Sequence, residues 1–104
     1  MFLFGKKKRL LIDFANQVAE ELYRRVPPKI VDEHLSGKSK SATRKFNDGL
    51  DEGIMRIAQF KANEHLGIYG KAKLHQVFAN RLLELGYSNE LANEINQYIL
   101  IKTP

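Results

Sequence analysis

The residues best able to ligate a metal in this sequence are three histidines, His34, His65 and His75, and their spacing argues against a shared ion. Each falls in a different predicted helix, and none stands three or four positions from another, the separation that puts two ligands on one helix face. Glu64 adjoins His65 but points to another face. A cationic His65 near a helix C-terminus has a structural role instead, because the dipole there favours positive charge. The run Asn47-Asp48-Gly49-Leu50-Asp51-Glu52-Gly53 has the composition of a calcium loop without its alternating acidic spacing, and the helical apolar period continues through it. The absence of cysteine removes disulfides, thiolate metal sites and cysteine nucleophiles together, and fits a reducing, cytoplasmic setting. With no nucleophile set beside a base and no paired carboxylates, the sequence predicts a protein that is not an enzyme, with no cofactor, metal or small-molecule substrate.

Cations carry more information. The net charge is +5, and residues 1–45 hold eleven Lys and Arg against five Asp and Glu, while residues 46–104 hold six against seven. A basic first half suits an anionic partner, with solubility as the simpler explanation. Its candidate contacts are Lys6, Lys7, Lys8, Arg9 and Lys29, with Lys38, Lys40, Arg44 and Lys45 placed where a loop enters a helix whose free amides favour an anion. The triplet Gly37-Lys38-Ser39 is not a phosphate loop. That motif needs glycine where Asp32 stands, and a strand before it. Within the helix, Arg44 is spaced to meet Asp48, and Glu52 to meet Arg56, which reduces the charge left for nucleic acid. No aromatics alternate with the cations in the manner that stacks single-stranded bases.

The helix that must position these groups is the longest in the chain, predicted over 39–66. Ala42, Phe46, Leu50, Gly53, Ile54, Ile57 and Phe60 share one face, with charged and polar residues on the others. Gly49 and Gly53 lie on or beside that stripe, each at a cost of about 1 kcal/mol relative to alanine in a helix interior. Their missing side chains let another backbone come close. Phe46, Gly49, Leu50, Gly53, Ile54 and Ile57 are therefore the candidate face for helix packing or for a homodimer. Unbroken, such a helix runs about 40 Å, against a radius of gyration of about 13 Å for a compact domain of this size. The expectation is a break near the glycines, or a projecting helix that buries its stripe against a second copy.

The remaining elements arrange themselves around this one. Arg9–Val26 carries Leu11, Phe14, Ala15, Val18, Leu22 and Val26 at helical spacing, with Glu20–Arg24 and Glu21–Arg25 as surface pairs. Pro27 stops that helix and Pro28 opens a short second one, which should turn Ile30, Val31 and Leu35 inward and finish near Gly37. Ser39 or Ser41 caps the central helix, and Gly67 closes it, with Ile68 folding back. A C-terminal helical hairpin over residues 70–101 turns at Gly86, with Ser88 capping its second helix. Its turn suits a helix-turn-helix in part. Leu82 stands where that motif wants a small residue, however, and Glu90 and Glu94 make its second helix acidic, which phosphates repel.

The opening MFLFGKKKR places a short apolar segment before four cations. Peripheral contact with an anionic membrane is the lesser reading of it; a flexible terminus over residues 1–8, folding its aromatics onto the core, is the simpler one. Tyr98 to Ile101 have strand propensity and could pair with Phe2 to Phe4, although a lone two-stranded ribbon is marginal. No run reaches the length of a membrane span. The sequence thus predicts one all-α domain over 1–104, with about five helices around the long central one. Its expected function is protein–protein interaction, as an adaptor or regulatory accessory module; nucleic-acid binding through Lys6–Arg9 and Lys38–Lys45 is the alternative. Its expected partner is another protein or a second copy of itself.

Overall fold

A computed structural model describes residues 5–104 and places them in five helices: α1 (Gly5–Arg25), α2 (Pro28–Ser36), α3 (Lys40–Asn63), α4 (Ile68–Leu85) and α5 (Asn89–Lys102). The fold is all-α. Phe2 to Phe4 lie outside the described residues, and Tyr98 to Ile101 are helical. The terminus expected to be flexible is already helical from Gly5.

Local chemistry sets the boundaries. Pro27 takes extended dihedrals and hands over to Pro28 in the first turn of α2, and Gly37 ends that helix at φ +74°. Ser39 accepts from the Ala42 amide at 3.0 Å to start α3, and Ser88 accepts from Leu91 at 3.2 Å to start α5. The end of α3 differs from expectation. The helix stops at Asn63, and His65, not Gly67, takes the left-handed conformation, at φ +51°. Gly67 instead precedes α4, which leaves Ile68 on the surface, 87% exposed.

α3 neither breaks at its glycines nor projects from the fold. The molecule is elongated, 48 × 23 × 18 Å, and accommodates the whole helix along its length. Gly49 faces Val26 and Leu22 of α1; Gly53 faces Val18 of α1 and Ile99 of α5. A Cβ on Gly49 would stand 2.6 Å from a Val26 methyl, so the space this glycine leaves is filled by side chains of α1. A Cβ on Gly53 would meet its neighbours at ordinary distances, 3.7 Å and beyond.

These contacts also fix direction. Gly49 with Val26, and Phe14 stacked on Phe60 with ring centroids 4.0 Å apart, make α1 and α3 antiparallel. Glu20 bound to Arg81 at 2.9 Å, and the Tyr87 hydroxyl donating to the Val26 carbonyl, make α1 and α4 parallel. Gly53 with Ile99, and Lys61 with Thr103, make α3 and α5 parallel. The core runs between them through Leu11, Val18, Leu50, Ile57, Leu74, Phe78, Leu82 and Ile99.

Several expected pairings go elsewhere. Glu20 reaches Arg81 rather than Arg24, and Glu21 meets Arg24 and Arg56 rather than Arg25. Arg56 accordingly turns from Glu52 toward α1, where it also lies 5.5 Å from the Phe14 ring centroid. Both glutamates face neighbouring helices, so an interhelical cation competes successfully with one along the same helix. Leu35, expected inside, is 71% exposed, because the short α2 buries only Val31 fully.

Candidate functional site

Lys38, Lys40, Arg44 and Lys45 gather at one end of the rod, where α2 turns into α3, and all four are exposed. None belongs to an ion pair among the described residues; the expected Arg44–Asp48 pair does not form. Behind them the packing is ordinary and polar. His34 joins Thr43 through a hydrogen bond of 2.9 Å and stacks on Phe46 with centroids 4.4 Å apart. His34 is thereby occupied as a strut between α2 and α3.

The face proposed for packing or dimerisation divides. Gly49, Leu50, Gly53 and Ile57 are buried within the chain, and Ile54 is partly covered. Phe46, with the remaining edge of the buried Leu50, opens onto a groove of about 360 Å³ between α3 and α5, whose other walls are Asn47, Leu91, Glu94, Ile95 and Tyr98. Glu94 is the carboxylate on that wall, and helical spacing sets Asp51 one turn beyond Asn47 and Glu90 one turn before Glu94.

At the opposite end lies a site absent from the sequence-based expectations. Lys61, in the last turn of α3, is only 6% exposed and donates to the Thr103 carbonyl and, at 2.9 Å, to the Thr103 hydroxyl. That hydroxyl donates in turn to the Ile99 carbonyl at 2.7 Å. Burial first, and the neighbouring Lys71 cation second, push the Lys61 ammonium down to about 8. Beside it opens a cavity of about 310 Å³, lined by Ala58, Lys61, Ala62, Leu66, Lys71, Lys102, Thr103 and Pro104. Three lysine side chains and no Asp or Glu side chain contribute to that wall. His75 stands nearby, 4% exposed, with Nδ1 bound to Asn96 Oδ1 at 2.8 Å and Nε2 without a partner among the described residues. Desolvation holds its imidazole below the ordinary histidine range, and the Lys61 charge adds to that; the Asn96 bond acts in the opposite direction.

A signal for Lys61 existed in the sequence. It stands four residues after Ile57, on the continuation of the buried stripe of α3, where a solvated lysine does not belong. Among the described residues no group of three or more His, Asp or Glu side chains could hold a metal ion, and no helix is long and apolar enough to cross a membrane. No protein-family model, curated protein or solved structure matches the chain.

Proposed function

We propose that this chain is a small protein-binding module that takes an amphipathic helix of another protein into the groove between α3 and α5. The observation that supports this reading is the composition of the groove: Phe46, Leu50, Leu91, Ile95 and Tyr98 with Glu94 on its wall, and Asp51 and Glu90 one helical turn from its lining residues. Two parallel helices leave a channel that accepts a third, and apolar anchors at helical spacing would fill it. These carboxylates on an otherwise basic protein select a helix whose flanking residues are Lys or Arg. The lack of cysteine fits the cytoplasm as the compartment for such an encounter.

The test is selection from a displayed library of helical peptides, with Leu91→Glu protein as the counter-selection. Enrichment of apolar helices with basic flanks, binding wild type at least tenfold better than the variant, supports the reading. No enrichment, or enrichment indifferent to Leu91→Glu, overturns it, and self-association lost in Leu91→Glu would assign the groove to a second copy. Nucleic-acid binding remains the second reading, carried by the unpaired Lys38, Lys40, Arg44 and Lys45.

A further inference from the structure

One end of the rod collects cations and exposed apolar side chains together. Because α1 and α4 are parallel, with Glu20 level with Arg81, Lys7 and Lys8 stand level with Ile68 and Tyr69. Ile68 and Tyr69 are each 87% exposed at the start of α4, and Ile101, beside Lys102, is 71% exposed. Ile68 and Tyr69 lie within one helical turn of Lys71, and Ile101 adjoins Lys102, so these open apolar side chains are near neighbours in the chain of two cations that line the cavity.

The cavity itself is built for negative charge. Lys61 has three N–H donors and spends two on Thr103, leaving one for the cavity it lines. Capping the end of α5 accounts for Lys61 alone; it does not account for Lys71 and Lys102, which add like charge to a wall that holds no Asp or Glu side chain. Gly67 supplies no side-chain cap, so the first amides of α4 are also left to an outside acceptor. Glu64 in the α3–α4 turn and Asp13 on α1 are too few to neutralise Lys7, Lys8, Arg9, Lys71, Lys73 and Lys102.

We propose that this end of the bundle docks on an anionic phospholipid bilayer, with a lipid phosphate in the Lys61–Lys71–Lys102 cavity and Ile68, Tyr69 and Ile101 entering the interface. A nucleic acid would be served by the same cations, but not by the three apolar side chains, which set the bilayer apart. The end face, roughly 23 × 18 Å, leaves the α3–α5 groove free along the side of the rod.

Co-sedimentation with vesicles of phosphatidylcholine alone, and with about a third phosphatidylserine or phosphatidic acid, tests the proposal at about 50 and 200 mM salt. Wild-type protein is expected to pellet with the anionic vesicles only, and less at the higher salt. Lys71→Ala with Lys102→Ala should weaken binding at least tenfold, and Ile68→Ser with Tyr69→Ser several-fold; all four positions can change without opening the core. Calorimetry with inorganic phosphate is the second arm. Phosphate bound as tightly as vesicles, with no effect of Ile68→Ser and Tyr69→Ser, would make the cavity a free-anion site and overturn the membrane assignment. So would no binding to anionic vesicles at low salt, or duplex DNA bound through Lys71 and Lys102 without regard to the apolar pair.

Discussion

The two ends of the rod hold their positive charge in opposite ways. At the α2–α3 end, Lys38, Lys40, Arg44 and Lys45 stay in water around a serine-capped helix start. At the other, Lys61 is taken out of water and held by Thr103, with Lys71 close enough to oppose it. A solvated cation is cheap and adaptable, so its presence says little about purpose. A desolvated cation without a carboxylate is costly, so its position is part of how the fold is specified.

Lys61→Ala should therefore have the largest effect. It empties the end of the stripe and leaves the Thr103 carbonyl unpaired, at a cost of about 2–3 kcal/mol in chemical denaturation. Replacing Lys38, Lys40, Arg44 and Lys45 by alanine should stay within about 0.5 kcal/mol per position. Equal losses at both ends would erase the distinction.

Midway along the rod, Gly49→Ala should destabilise by about 1–2 kcal/mol, because the new methyl meets Val26. Gly53→Ala, four residues on, has room and should gain up to about 1 kcal/mol from helix propensity. Thermal melts of the pair would show whether the close approach belongs to one glycine or to both.

Titration sharpens the contrast further. A folded Lys61 near 8 against an ordinary value of 10.5 means that the unfolded chain holds its proton longer. Stability should then rise with pH from about 8 toward 10.5, and the difference between wild type and Lys61→Met should move in favour of wild type over that window. His75, lowered by burial, predicts loss of stability as pH falls below 6.5, and His75→Gln should flatten that limb. The smallest expected effect is on binding to duplex DNA at about 50 and 200 mM salt. Anisotropy that falls steeply with salt, and with the four alanines at the α2–α3 end, would give that end a purpose of its own.

Much of this architecture was legible beforehand because it is encoded locally. Pro27-Pro28, Ser39, Gly86 and Ser88 act through their own backbone neighbours, and each marks a boundary or cap that the fold uses. The arrangement of helices was not local. A 24-residue α3 looked too long for a compact domain only because a near-spherical shape was assumed; the chain solves the problem by being 48 Å long. The cationic loop was legible as a list of residues, but Lys61 was not singled out, because a helical wheel sorted by residue type leaves a lysine off the apolar stripe even where the spacing continues through it. Ion pairs were the least legible, since Glu20, Glu21 and Arg56 choose partners 35 to 61 residues away.

The parallel pairing of α1 with α4 reaches beyond the native contacts. Parallel neighbours need a long crossover, and here residues 26–67, with α2 and α3, supply it. α1 packs more extensively against α4 than against any other helix, so that surface stays open until the crossover closes. Chain emerging from a ribosome would hold α1, α2 and α3 ready while the α1 surface still awaits α4. The core thus closes only once α4 has emerged, and any partner that shields α1 in the interval acts on a half-built molecule.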